Sequence, residues 1–309
     1  MTAPDSESQL WETPVVLAAT PIGNLGDTTE RLRQLLRTAE IIACEDTRRT
    51  RRLLQALAIS TEAKLLSLHE HNEASRSEQL VEQAAAGTRI LVVSDAGMPA
   101  VSDPGHRLIT AAVDAGVGLT VAPGASAVTT ALALSGLPTH AFTFGGFIPR
   151  KQSEKQSLFA RLQSEEWTTV LFESPHRIAA VAAELAEALG PSRRAAVARE
   201  LTKKYEEVLR GSLAELAELL ERRHAEGTLR GEFVLVIAGA APGDDGAAQL
   251  TAAEQAQRLA ELVLQRTEEG IRLKDAAKQV AAEQPAGGHS VSSRDLYQAA
   301  LERRKTTGE

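Results

Sequence analysis

The sequence predicts an α/β protein: two consecutive α/β domains followed by a small all-helical domain. Three observations predict it. Short apolar runs alternate with longer amphipathic stretches from Pro14 onward, the pattern of strands joined by helices in a largely parallel sheet. Pro123-Gly124 punctuates the chain, and after a small-residue helix a second such set starts at Phe142. From Thr251 the composition turns to Ala, Leu, Gln, Glu and Arg with helical spacing.

In the first domain, residues 14–123, the strands are Val15–Ala19, Ile41–Cys44, Leu65–Leu68, Ile90–Val93 and Leu119–Ala122, each a brief apolar run. Between them Thr28–Arg37, Thr47–Leu57, Glu73–Ala86 and Gly105–Ala115 space their apolar residues at the helical period. The second domain, residues 124–241, opens with helix Ala125–Ser135. Its strands are Phe142–Ile148, Thr169–Phe172, Ala195–Arg199 and Phe233–Ala238, and its further helices Lys151–Gln163, Ile178–Leu189 and Leu213–Arg223. Residues 242–250 read as a turn-rich linker and 251–309 as a helical tail. Met1–Thr13 is polar and acidic, reads as a disordered tail, and has neither the basic nor the apolar region of a signal peptide.

With 309 residues, 43% of them hydrophobic and 24% charged, the chain can bury sizeable cores, which excludes wholesale disorder. Aromatic residues make up 3%, too few for a surface that reads single strands by stacking bases on rings. A net charge of −7 repels polyanions, so a generic nucleic-acid coater is excluded, whereas a local basic groove is not. Residues 1–123 carry a net −5, yet Arg48-Arg-Thr-Arg-Arg52 sets four guanidinium groups on one helix. That run suits RNA phosphates, or is simply a solvated face. Arg150-Lys151, following Phe144-Gly-Gly-Phe147, is a second basic stretch. The lone Cys44 cannot close an internal disulfide, and no apolar run approaches the ~20 residues that span a bilayer. A reduced, cytoplasmic protein with no membrane association is expected.

The motifs of a P-loop, a dinucleotide-binding glycine fingerprint and the common zinc sites are all absent. Gly124-Ala-Ser126-Ala-Val128 lacks the last glycine of a nucleophile elbow. Three strand ends instead carry loops rich in Gly and Pro: Thr20–Asp27, Ser94–Gly105 and Val121–Ala127. In an open α/β sheet ligands bind beyond the carboxyl ends of the strands, and glycine lets backbone approach them closely. Together the three loops point to a nucleoside-type cofactor. Asp95 suits a ribose or an ammonium group, and Met98 and Val101 suit an adenosine slot. Ser126 and Ala127 begin a helix whose first N–H groups are available.

The blocks Leu17–Asp27, Cys44–Arg48, Ser94–Gly105, Ala122–Ala127 and Glu173–Arg177 resemble the tetrapyrrole-methylase-like superfamily. Within it they are similar to the bacterial 16S ribosomal RNA (cytidine-2′-O-)-methyltransferases, from about Val15 to Gly239. The resemblance implies two α/β domains holding S-adenosyl-L-methionine in the cleft between them, usually in a homodimer. It implies methylation of a cytidine ribose, number 1402 by convention, in 16S rRNA of the assembled small ribosomal subunit. It places cofactor contacts at Pro21, Ile22, Gly23, Asp95, Ala96, Gly97, Met98, Val101, Ser126, Ala127 and Ser174. Tetrapyrrole-methylating relatives carry Gly-Pro-Gly-Asp in the first loop; Pro21-Ile-Gly-Asn24 fits the RNA branch better.

Methyl transfer to a hydroxyl needs alignment and an acceptor for the proton. Asp46, Asp103, Glu173, Lys151 and the His69-Glu-His71-Asn72 cluster are candidates, and the set taken as catalytic is Asp46, Arg48, Lys151 and Glu173. Asp46 fits a helix N-cap equally well. His69 and His71 share a strand face, but no third ligand stands at suitable spacing, so no metal is expected. His176-Arg177, at a helix start, suits an anion or a capping role. Leu273–Val280 and Ser292–Tyr297 resemble a helix-turn-helix tail whose turn is widened by Pro285–Ser290; a packing appendage is the alternative. Two rival functions share the scaffold: a tetrapyrrole methyltransferase, and a non-catalytic RNA-binding ribosome-assembly factor.

Overall fold

Four-residue segments form the first sheet: β1 (Val15–Ala18), β2 (Ile41–Cys44), β3 (Lys64–Ser67), β4 (Ile90–Val93) and β5 (Leu119–Ala122). All pairings are parallel, in the order β3-β2-β4-β1-β5. Strands β1, β2 and β4 are buried at every residue, as central parallel strands covered on both faces must be. The computed structural model describes residues 10–69, 72–240, 252–268, 270–282 and 291–307.

Helices α1 (Glu30–Thr38) and α2 (Thr47–Ala56) cover one face, with Leu32, Leu35, Leu36 and Leu54 in the core. Helices α3 (Glu73–Ala85) and α4 (His106–Asp114) cover the other through Leu80, Val81, Leu108 and Ala112. Right-handed crossovers dictate this split. The chain steps from β1 through β2 to β3 in one direction, then returns to β4 and β5 in the other. Neighbours β2 and β4 therefore send their connections opposite ways, which opens a crevice at their carboxyl ends.

The second sheet comprises β6 (Phe142–Phe147), β7 (Thr168–Glu173), β8 (Arg194–Arg199), β9 (Glu207–Ser212) and β10 (Phe233–Ile237), in the order β6-β7-β10-β8-β9. Only β6 and β7 pair in parallel; the other pairings are antiparallel. The largely parallel sheet expected from strand–helix alternation therefore holds in the first half and not the second. Strand β9 was not expected, because Glu207-Val-Leu-Arg-Gly-Ser212 has only Val and Leu as apolar residues. It is an edge strand whose burial is partial.

Alternation along the strands sorts two cores. Val170, Val234 and Val236 face helix α5 (Ala127–Ser135), and Ile22 from the first loop joins them. Leu171, Leu235 and Ile237 face α6 (Gln152–Gln163), α7 (Ile178–Leu189) and α8 (Leu213–Ala225).

The chain divides into two compact units, Met1–Asp245 and Gly246–Glu309. Both sheets lie in the first. The second holds α9 (Ala252–Glu268), α10 (Leu273–Ala282) and α11 (Ser293–Thr307) around Ala260, Val263, Ala276, Val280 and Leu296. Of the tail read over residues 1–13, residues 1–9 lie outside the described residues, Leu10 is buried, and the Trp11 indole donates to Thr38 at 2.8 Å. The linker over 242–250 and the widened turn Pro285–Ser290 also lie outside them. No described helix is long and apolar enough to cross a membrane.

Candidate functional site

The loop after β4 is built to be held still. Thr20 and Gly97 exchange both backbone hydrogen bonds, at 2.9 and 3.0 Å, which clamps the loop after β1 to the loop after β4. Thr20 Oγ1 also donates to the Ser94 carbonyl at 3.2 Å. Further along, Ala100 (φ 67°) and Ser102 (φ 61°) take left-handed backbone conformations without being glycine. Such strain costs on the order of 1–3 kcal/mol per residue and persists only where the surroundings impose it. Buried Glu73, at the start of α3, supplies part of that constraint. Its Oε1 accepts the N–H groups of Gly105 and Arg107 at 2.8 and 2.9 Å, fixing the loop end and capping α4.

These loops and the second sheet enclose a cleft of about 480 Å³ at the carboxyl ends of β2 and β4. That lies within the ~300–1,000 Å³ of small-molecule sites. Ile22, Gly97, Met98 and Val101 from the first sheet's loops, Ser126, Ala127 and Val128 at the start of α5, and Phe147, Phe172, Ser174 and Phe233 from the second sheet all line the cleft. Phe147 packs edge-on against Phe172 with 5.4 Å between centroids, yet stays 62% exposed. A bulge in β6 makes this possible, because Gly145 lies over Leu171 where a Cβ would come within 2.6 Å of Cδ2.

Acidic groups also line the cleft. Glu45 follows β2, and Asp95 and Asp103 lie on the loop after β4. Asp95 Oδ1 accepts the Asp46 N–H at 3.2 Å, and its Oδ2 lies 3.3 Å from Arg49 Nη1. Burial raises the pKa of Asp95, against the opposing pull of the Asp46 N–H and Arg49. Burial likewise raises Glu45, with the Asp95 charge adding to it. Asp103 is pushed up to about 6, first by burial, then by Glu45, while a Ser94 hydrogen bond opposes the change.

The residues expected to hold a cofactor are mostly brought together here. Ile22, Asp95, Ala96, Gly97, Met98, Val101, Ser126, Ala127 and Ser174 all line the cleft. Pro21 and Gly23 do not; a Cβ on Gly23 would meet Lys203 Cγ at 2.4 Å, so that glycine serves close packing between the halves. Of the set taken as catalytic, only buried Glu173 lines the cleft. Asp46 stands just outside it, capping α2 by accepting the Arg48 N–H at 2.8 Å and pairing with the Arg48 guanidinium at 2.8 Å. That hydrogen-bonded pairing lowers the Asp46 carboxyl to about 2. Lys151 precedes α6, exposed, with its ammonium 3.2 Å from Glu154. Asn72 Oδ1 accepts the His69 N–H at 2.9 Å, and His71 lies outside the described residues. Arg177 is a brace rather than an anion site. It donates to the carbonyls of Ile148 and Pro149 at 3.0 and 2.9 Å and lies 3.3 Å from Glu173 Oε2.

Sequence reasoning missed Glu45, Arg49, Phe172 and the Gly231–Val234 wall. Glu45 was findable, since it stands past the carboxyl end of β2 as Asp95 does past β4. Gly231–Val234 was not. Its strand is antiparallel to β7, so that its amino end, at Phe233 opposite Glu173, meets the cleft.

Known proteins agree with this architecture. The profile of the Tetrapyrrole (Corrin/Porphyrin) Methylases matches residues 14–217. A relative from Mycobacterium bovis named ribosomal RNA small subunit methyltransferase I is 46% identical over 95% of this chain and 96% of its own. A Halalkalibacterium halodurans protein of that name is 39% identical over 91% and 92%. Among solved structures, the methyltransferase CobJ superimposes with a TM-score of 0.54 at 22% identity, covering 74% of this chain and 94% of its own. Diphthine synthase does so with 0.54 at 18% identity, over 75% and 92%. These two establish the fold alone. The chain belongs to the tetrapyrrole methylase family and, within it, to the methyltransferases named ribosomal RNA small subunit methyltransferase I.

Proposed function

We propose that the chain is an S-adenosylmethionine-dependent methyltransferase acting on the ribose 2′-hydroxyl of a cytidine, number 1402 by convention, in 16S ribosomal RNA. The observation that carries this reading is an apolar cleft at the β2–β4 switch point faced by Glu45, Asp95 and Asp103. A cationic sulfonium joined to adenosine needs an apolar slot, carboxylates near its positive charge, and backbone donors. Met98, Val128 and Phe172 supply the slot, and no side chain caps the first amides of α5. Bound there, S-adenosylmethionine supplies an electrophilic methyl group.

The chain's own residues bind and orient. Asp95 takes ribose hydroxyls or the ammonium group; Ser126, Ala127 and Ser174 offer hydrogen bonds; Pro21 and Gly23 flank Ile22 in the chain. Glu173 Oε1 accepts the Ser174 N–H at 2.6 Å and keeps that edge rigid. Exposed Arg48, Arg51 and Arg52 on α2, with Arg150 and Lys151, present cations to RNA phosphates, and Asp46 orients Arg48. The acidic remainder disfavours arbitrary RNA, which suits a structured, subunit-sized substrate. A cytoplasmic homodimer acting on the assembled small subunit completes the reading.

Calorimetry with S-adenosylhomocysteine and mass spectrometry of 16S rRNA from a strain lacking the protein test it. Binding and loss of one 2′-O-methyl group are expected; failure to bind refutes the proposal. Asp95→Ala is expected to weaken cofactor binding while keeping RNA affinity, and Lys151→Ala the reverse. Equal loss of both ligands in either variant counts against these roles.

A further inference from the structure

We propose that Lys203 is a positioning residue for the cofactor. It ties the loop after β1 to the amino end of β10, and so holds two segments that line the cleft, Ile22 and Gly231–Val234, in fixed relation to each other. The inference rests on the function proposed above and adds to it a residue that does not itself line the cleft.

The turn that carries Lys203, between β8 and β9, is tightly bound to itself. Glu200 (φ 52°) and Thr202 (φ 65°) take left-handed conformations without being glycine, a strain that persists only where the surroundings impose it. The Lys203 N–H donates to the Glu200 carbonyl at 3.0 Å, and the Glu206 N–H to the Lys203 carbonyl at 3.1 Å. The Thr202 N–H donates to Glu206 Oε2 at 2.6 Å. This turn meets both halves of the fold. Toward the first sheet, the Lys203 stem lies over Gly23, where a Cβ would overlap its Cγ. Toward β10, the Glu200 N–H donates to the Glu232 carbonyl at 3.0 Å, and Glu200 Oε1 accepts the Glu232 N–H at 3.0 Å. The same carboxylate crosses Gly231 (φ 95°) so closely that a Cβ there would overlap it.

Lys203 joins these contacts. Its ammonium donates to Glu200 Oε1 at 2.8 Å and to Glu232 Oε2 at 3.0 Å, so the side chain is held at its tip while its stem packs on Gly23. A thin, unbranched stem fits against a glycine, and a compact ammonium can serve two carboxylates at once. Leu201, two residues earlier, is buried in the same apolar cluster as Ile22, Val128 and Val234, three residues that line the cleft. A shift of this turn therefore reaches the lining from both halves of the fold. The Glu232 side chain is 73% exposed, and an ion pair so open to water contributes little to global stability. What the pair fixes is geometry at the cleft rather than the fold as a whole.

The test measures S-adenosylhomocysteine affinity by calorimetry and Tm of the free protein, on the full chain, for wild type, Lys203→Met, Lys203→Arg and Gly23→Ala. Lys155→Met is the control for general destabilisation. It breaks the 2.5 Å pair between Lys155 on α6 and Glu184 on α7, neither of which lines the cleft. Lys203→Met keeps the stem and removes the charge. It is expected to bind about 10-fold more weakly, the size of effect a residue without ligand contact can exert. Its Tm is expected to stay within about 2 °C of wild type. Lys203→Arg, which restores the charge, is expected to recover most of the affinity, and Lys155→Met to lower Tm while binding as wild type does. Gly23→Ala is expected to weaken binding as well. Combined with Lys203→Met it should lose less than the product of the two single losses, because both changes break one contact. A Lys203→Met protein with wild-type affinity overturns the inference. So does a Lys203→Arg protein as weak as Lys203→Met, or an equal loss of affinity in Lys155→Met. A wild type that does not bind S-adenosylhomocysteine overturns the proposed function, and this role with it.

Discussion

Asp103→Asn is expected to make the protein more stable at neutral pH. Its folded carboxyl stands at about 6 against an ordinary 3.8, so between those values the folded state holds a proton that the unfolded chain has released. Stability therefore falls as pH rises through that window: the cost is absent below about 4 and complete above about 6. At roughly 1.4 kcal/mol per tenfold change, the cost is at most about 3 kcal/mol. The carboxyl is only partly buried, and solvent screening reduces this to about 1 kcal/mol. Asparagine carries no charge, keeps an acceptor for Ser94, and removes the repulsion on Glu45 and Asp95. For a unit of this size about 1 kcal/mol corresponds to roughly 2–4 °C in Tm. Trp11 and Trp167, the two tryptophans of the chain, both lie in the first unit, so their fluorescence reports its melting selectively. The expected result is a gain at pH 7.5 and none at pH 4. A loss at pH 7.5, or an equal gain at both, refutes the reasoning.

Two further substitutions probe what holds the cleft walls. Arg177→Met strands the carbonyls of Ile148 and Pro149 and leaves Glu173 buried without its cation; a loss of about 3 kcal/mol in urea unfolding is expected. Arg177→Lys should recover less than half of it, since one ammonium cannot replace a planar fork serving three acceptors. Gly145→Ala should cost about 1–3 kcal/mol, because its Cβ would press on fully buried Leu171. Combining it with Leu171→Val, which removes the clashing Cδ2, should cost less than the sum of the two single changes; strict additivity would refute the contact.

Much of the fold was legible because burial imposes pattern. Parallel strands covered on both faces must be apolar at every position, and β1, β2 and β4 are so. Glu207–Ser212 escaped notice because an edge strand with partial burial needs only Val208 and Leu209 to be apolar. At the site, the glycine and proline loops stood out because a left-handed backbone at Gly97 (φ 82°) and close packing at Gly23 restrict residue choice there.

The sequence by itself determined the strands and helices of the first half, the position of the loops that line the cleft and, through its motif blocks, the family. Those features are written in local composition and spacing. Tertiary structure alone decided that β10 runs antiparallel and brings Gly231–Val234 to the cleft, and that Arg177 spends its guanidinium on two carbonyls and Glu173. It also decided how carboxylates at the cleft are engaged, Asp95 with the Asp46 N–H and Arg49, and Glu173 with the Ser174 N–H. Asp46 and Asp103 are the same residue type on neighbouring loops, yet one is held at about 2 by Arg48 and the other lifted to about 6. Asp46 owes its value to Arg48, two residues on in the chain, whereas Asp103 owes its value to burial and to Glu45 and Asp95, which only the fold brings near.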